Sequence, residues 1–544
     1  MAKILFAVSS LFFGIAAQAQ NSVVLHVDAS ATSGPVAPFW NYFGYDEPNA
    51  TYTGNGRKLM AELAASSQVP VHIRAHNLLT TGPGSYGLKW GSTNAYREDA
   101  NGKPLYDWTI VDKIIEAYVK ASAIPVVEIG FMPEALSSKP DPYTPNWQTP
   151  DDFKHYFVGW TYPPRDYDKW GDLIYAWVNH EVERFSKAEV NKWDWEVWNE
   201  PDIPYWHGTP AEYDQLYDYT AAALKRALPS ARIGGPASTS PRNPKAATFL
   251  RQFLEHCASG KNYATQQIGA PLDFISFHAK GRPEIVSGHV RMGLAKQMED
   301  ISDGLNIVRS FSQFRDLPVI ISEWDPEGCG ACSSAQNPAN AYRNGVLYPA
   351  YVAAASKATL QIATREHANL AGALTWAFEY EGQPDFAGFR DLATNGIDKP
   401  VLNVFRMLGL MHGGWVKVDG ESGTVGALAS QSVSGLAVMV WNYQDDDVPA
   451  AAADVKLVVT GLPDNAKRAL VTQFRIDDHH SNAYTVWKEM GSPQAPTPAQ
   501  QSILEAAGQL QMLESPRWVE STKAGVNLDF DLPLPGVSLI LLSW

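Results

Sequence analysis

The stretch Trp193-Asp194-Trp195-Glu196-Val197-Trp198-Asn199-Glu200-Pro201-Asp202 decides how the rest of the chain is read. Its aromatic and β-branched residues predict a buried strand. Pro201 has no N–H for a sheet ladder and pushes Glu200 away from helical backbone, so Glu200 stands where strand becomes loop. A carboxylate among tryptophans is costly unless it is paired or protonated. A carboxyl with a raised pKa is what a general acid needs. Strict alternation would turn Asn199 and Glu200 to opposite faces. Both reach one pocket only if the strand loses its regularity there, and the proline supports that.

Working outward, strand-like runs recur near 40–45, 69–75, 124–130, 193–199, 232–235, 274–278, 319–323 and 373–378. Helical patterns lie between most of them, as in Ile110–Val119, Leu173–Phe185, Tyr213–Ala227 and Asn340–Ala363, with apolar residues three and four apart. Eight strands alternating with helices predict a (β/α)₈ TIM barrel, an α/β fold. A doubly wound open sheet usually shows a glycine-rich turn after its first strand, and this chain has none. Beyond about residue 410 the runs become short and alternating: 424–429, 436–441, 455–459, 469–476 and 537–544. They predict an accessory antiparallel β-sandwich. The lone strand Val23–Val27 is expected to join it. The expected division is a barrel over 30–405 and a sandwich over 20–29 and 406–544. Asp445-Asp446-Asp447 reads as a solvated turn in preference to a calcium loop.

The seventh run, Val319-Ile320-Ile321-Ser322-Glu323-Trp324, again ends in a carboxylate beside a tryptophan. Strands four and seven of a barrel open on the same C-terminal face, where active sites sit. A single strand-end Glu is commonly a salt-bridge or capping residue. Two on compatible strands, each in an aromatic setting, are the equipment of a glycosidase. Other polar residues are predicted at that face: Arg74 and His76 at the end of strand two, Asp46 and Glu47 after strand one, His278 and Lys280 after strand six, and Trp376 in strand eight. Each alone has a structural reading as a satisfied core or packing residue. Together they offer hydrogen bonds to hydroxyls and a stacking surface for a sugar ring. Arg74 would hold a nearby Glu ionised, which suits a nucleophile.

Composition narrows the classes. The 544 residues carry 43 basic and 58 acidic side chains, net −15, with no basic block, which argues against a nucleic-acid surface. Residues 1–19 read as a signal peptide: Lys3, an apolar run from Ile4 to Ala16, and Ala17-Gln18-Ala19 as cleavage site. Export, periplasmic or secreted, follows as an expectation. Of the three cysteines, Cys329 and Cys332 are spaced for a local disulfide or stay as two thiols, and nothing near them has zinc spacing.

At these residues the chain resembles a known family. Trp198-Asn199-Glu200-Pro201 is similar to the acid/base signature of the (β/α)₈ clan of retaining glycoside hydrolases, and Ile321-Ser322-Glu323-Trp324 to its nucleophile strand. Phe277-His278-Ala279-Lys280-Gly281, Lys399-Pro400-Val401-Leu402-Asn403-Val404-Phe405 and Arg475-Ile476-Asp477-Asp478 with His480-Ser481-Asn482-Ala483-Tyr484 narrow the resemblance to glycoside hydrolase family 39, the β-xylosidases and α-L-iduronidases. The resemblance implies Glu200 as acid/base, Glu323 as nucleophile, Asn199 on the sugar 2-hydroxyl, His278 near the nucleophile and Trp376 flooring the subsite. No cofactor or metal is implied, and water is the second substrate. The first expectation for substrate is xylo-oligosaccharides, with an exo-acting β-xylosidase of xylan degradation. An α-L-iduronidase or α-L-arabinosidase is the alternative. A uronate would be held by Lys280, Arg390 and the backbone at Gly328 and Gly330. A non-catalytic carbohydrate-binding protein is the alternative from another class. A homo-oligomer is left open.

Overall fold

The computed structural model describes residues 22–145, 156–376, 378–463, 466–522 and 525–544, so the predicted signal peptide lies outside the described residues. Eight parallel strands close into a barrel: β1 (Tyr42–Tyr45), β2 (His72–Ala75), β3 (Ile124–Ile129), β4 (Asp194–Val197), β5 (Arg232–Ser238), β6 (Phe274–Lys280), β7 (Val319–Asp325) and β8 (Leu370–Trp376). They pair in sequence order, with β8 closing onto β1. All eight correspond to expected runs. They are almost wholly buried, as strands covered by helices on the outside must be.

The helices follow the predicted periodicity with one exception. The pattern over 340–363 is two elements, a 3₁₀ segment Pro338–Asn344 and a helix Leu347–Arg365. Extended backbone at Gly345 separates them, and Arg343 and Asn344 turn inward to hold loops.

The second unit is one ten-stranded sheet. Its long strand Ser22–Pro35 pairs antiparallel with Gly414–Asp419 and parallel with Ala453–Thr460. The expectation of a purely antiparallel sandwich is therefore corrected to a mixed sheet. Side chains from strands far apart in the sheet, such as Leu25, Val440, Leu457, Val471, Leu528 and Ile540, share one apolar cluster, so the sheet wraps around its own core. The opposite face of its middle strands presents Met439, Trp441 and Leu539 to the barrel's core. Gly435–Asn442 is consequently buried along nearly its whole length.

Asp445–Asp447 lies at the surface, part-exposed to exposed, with two of its carboxylates taken up by partners. The Asp445 carboxylate accepts from Gly293 N at 2.9 Å and Leu294 N at 3.0 Å, capping the helix Leu294–Arg309. Asp446 pairs with Arg291 at 2.7 Å and His289 at 2.9 Å. This corner ties the sheet unit to the hairpin that follows β6.

Candidate active site

β4 ends at Val197, and the chain then turns sharply. Trp198 has φ +71° and Glu200 φ +46°, both in the left-handed region that bulky residues rarely enter. This reverses the extended backbone that Pro201 predicts for Glu200. The turn is held from several sides. Trp198 Nε1 donates to Tyr205 O at 2.9 Å, Glu200 N donates to Ala237 O at 2.9 Å, and the Tyr213 hydroxyl donates to Val197 O at 2.9 Å. The break in alternation lets neighbours Asn199 and Glu200 line one cavity.

β7 behaves differently. It stays extended through Glu323 to Asp325, with one register shift at Ser322 that sets Glu323 opposite His278 of β6. Lys280 Nζ bridges Glu323 at 2.5 Å and Asp325 at 2.7 Å. Arg74 Nη1 stands 3.7 Å from the other Glu323 oxygen. Burial alone would raise the Glu323 carboxyl. It is held well below the usual carboxylate range by the basic side chains around it, His278 first, then Lys280, His76 and Arg74. Lys280 and Arg74 are the permanent charges in that set. His76 stays neutral, because burial and then Arg74 push its imidazole well down.

His278 Nδ1 is 2.9 Å from Glu200 Oε1 and 3.8 Å from Glu323 Oε2. The expected histidine near the nucleophile thus sits between both carboxylates and bonds the acid/base candidate. One oxygen from each carboxylate and one His278 nitrogen lie within 4.8 Å of one another. Such a trio would also hold a metal ion, but the Lys280 ammonium already supplies the positive charge beside Glu323.

Asn199 Oδ1 accepts from Arg74 Nη2 at 3.0 Å, which fixes its amide and turns its NH₂ outward. Arg74 itself lies below the cavity, bonded to Glu196 at 2.5 Å and Glu128 at 2.9 Å. His76 Nδ1 meets Glu128 at 2.5 Å, leaving Nε2 3.8 Å from both Asp46 and Glu323. The Asp46 carboxylate accepts from Trp376 Nε1 at 2.8 Å and the Tyr380 hydroxyl at 3.0 Å. Trp376 lies against Gly44, where any Cβ would collide with its ring. Glu47 is placed elsewhere: its oxygens accept the Lys89 and Glu381 amides at 3.0 and 3.3 Å, and it does not line the cavity. Its sequence reading was open between sugar binding and structural pairing, and the structure gives it the second.

The resulting cavity is about 460 Å³, lined by Asp46, His76, Asn199, Glu200, Lys280, Glu323 and Trp376, with the backbone of Gly328 to Gly330 on one side. Lys89, Phe157, Tyr205, Thr239 and Ser240 also line it and were not foreseen. They sit in βα-loops, where single-sequence patterns carry no register. Glu128 and Glu196 were missed despite a signal: each is a carboxylate inside an apolar barrel strand, which demands a buried cation such as Arg74.

Two carboxylates at strand ends around such a cavity, on an eight-stranded barrel, are the arrangement a glycoside hydrolase needs. The chain belongs to glycosyl hydrolases family 39, whose model matches residues 23–522. A β-xylosidase of Geobacillus stearothermophilus is 28% identical over 485 residues, 86% of this chain and 85% of that one. The α-L-iduronidase of Mus musculus is 24% identical across 96% of this chain and 81% of its own length. Among solved structures, the GH39 enzyme of Xanthomonas axonopodis pv. citri has a TM-score of 0.76 at 21% identity, covering 96% and 98% of the two chains. A monomeric β-xylosidase of Caulobacter crescentus CB15 superimposes equally well, TM-score 0.76 at 22% identity, covering 96% and 99%. Among the described residues no helix is long and apolar enough to cross a membrane.

Proposed function

We propose that this glycoside hydrolase removes single sugars from non-reducing ends with net retention, with Glu323 as nucleophile and Glu200 as acid/base. The approach of the two carboxylates to within 4.8 Å carries the reading. Retaining sites hold their carboxyls about 5 Å apart, whereas inverting sites leave roughly 6.5–9.5 Å for a water. In the first step Glu200 gives its proton to the glycosidic oxygen while Glu323, kept anionic by Lys280 and Arg74, attacks the anomeric carbon and forms an ester. In the second, Glu200 takes a proton from water, which attacks the same carbon and frees Glu323. Asn199, oriented by Arg74, suits the 2-hydroxyl. Asp46 and His76 suit the remaining hydroxyls, against the Trp376 ring. Export rests on the leader-like residues 1–19 and is tested by the N-terminal sequence of the mature protein.

For the sugar we propose a β-D-xyloside, as in xylo-oligosaccharides. The cations at the cavity are matched by Glu323, Asp325 and Asp46, which suits a neutral ring. The relatives named β-xylosidase support it. A second reading, an α-L-iduronide, is favoured by one observation. Arg390 Nη2 lies buried close behind Gly330, 3.3 Å from Asp325 Oδ2 and without a hydrogen bond among the described residues, a donor that a uronate carboxylate would share with Asp325. A panel of nitrophenyl β-D-xyloside, α-L-arabinoside and α-L-iduronide tests both. Fastest turnover of the xyloside is expected. Cleavage of the iduronide alone would replace the first reading with the second, and binding without hydrolysis of any would contradict the catalytic assignment.

A further inference from the structure

Cys329 and Cys332 are joined as a disulfide, and the loop it clips is a side of the sugar cavity. The loop is built to be loose without help. Gly328 and Gly330 flank Cys329, and glycines carry the largest backbone entropy cost on ordering. Hydrogen bonds to its carbonyls and the disulfide restrain it, with Asn340 Nδ2 donating to Cys332 O at 2.8 Å and Arg390 N to Gly330 O at 2.9 Å. Arg343, fully buried, donates to the carbonyls of Cys329 at 2.7 Å, Cys332 at 2.8 Å and Gly330 at 3.3 Å, and pairs with Glu327 at 2.6 Å. Arg343 therefore holds the carbonyl side from outside the cavity. The disulfide holds the side-chain side. Both its cysteines are part-exposed, whereas Cys257 is buried.

We propose that the Cys329–Cys332 disulfide is a redox-sensitive determinant of sugar affinity, holding the Gly328-Cys329-Gly330 backbone as a rigid side of the cavity and releasing it when a small dithiol reduces it. The exchange balances: one dithiol thiolate attacks a cysteine sulfur and expels the other cysteine as thiolate. The second dithiol group then displaces the mixed disulfide, leaving two cysteine thiols and one oxidised dithiol. Arg343 stays in place, so the loop loosens without unfolding. Glu200, Glu323 and Lys280 stand on β4, β6 and β7 and their ends, and the chemical step is preserved. The loss therefore falls on binding before reaction, in KM.

The inference rests on the proposed sugar site, and the experiment separates the two. The full-length protein is assayed on the best nitrophenyl glycoside of the panel, oxidised, in dithiothreitol, and after reoxidation. Cys329→Ser/Cys332→Ser and Cys257→Ser variants are assayed alongside. Reduction and the double variant are each expected to raise KM about fivefold or more while kcat changes less than about twofold. Reoxidation restores the first value, Cys257→Ser keeps the response and the double variant loses it. Equal KM in both redox states, or a fall in kcat at constant KM, would overturn this inference alone. Failure of the oxidised protein to hydrolyse any glycoside would overturn the proposed site and the inference with it.

Discussion

The ends of β4 and β7 carry the same residue type to the same cavity by different means. Glu323 stands within a strand that continues past it after a single register shift, with 8% of its side chain exposed, inside a shell of fixed cations. Glu200 is itself left-handed, on a turn that Trp198 also enters left-handed, 16% exposed, with a histidine as its partner. The first environment keeps a carboxylate charged through a reaction. The second leaves a part-exposed carboxyl hydrogen-bonded to an imidazole, which suits the proposed proton-transfer role. Asymmetry of surroundings, more than identity of side chain, separates a nucleophile from an acid/base.

Removing each carboxylate tests the comparison hardest. Glu323→Ala is expected to cost at least about 10⁴-fold in kcat on every substrate, since no other group can form the ester. Glu200→Ala should cost roughly 10²–10⁴-fold on substrates with poor leaving groups but far less on activated aryl glycosides, which depart without protonation. Equal losses on both kinds of substrate would dissolve the distinction.

Much of this comparison was legible in the sequence, and the reason is local. Apolar runs that stop at Glu beside Trp mark both strand ends, and their places in the strand order put them on one barrel face. What was not legible depends on distant partners. Pro201 predicts extended backbone at Glu200, but bonds from Ala237 and His278 hold it left-handed. Lys89 and Tyr205 reach the cavity on loops whose path no periodicity encodes. The link between Cys329 and Cys332 is a matter of approach in space, which spacing alone left open. The role of Asp445 as a cap on a helix more than a hundred residues away is of the same kind.

Smaller changes sharpen the contrast. Lys280→Met removes a permanent charge that favours ionised Glu323. Its carboxyl pKa then rises, so the activity that requires the anion is lost at higher pH as the solution is acidified. The acid limb of the kcat/KM profile is expected to move up by about one pH unit. An unmoved limb would mean that Lys280 does not set the charge of Glu323. Gly44→Ala forces Trp376 out of its seat, at a cost of about 1–3 kcal/mol in unfolding free energy and a KM rise of a few fold. Unfolding by denaturant and steady-state kinetics on the same preparation check both.

The most direct measurement is to trap the intermediate. The protein is inactivated with the activated 2-deoxy-2-fluoro analogue of its preferred glycoside, digested, and the modified peptide is sequenced by mass spectrometry. One sugar attached to Glu323 is the predicted result. A label on Glu200, or inactivation with no covalent adduct on either carboxylate, would contradict the assignment.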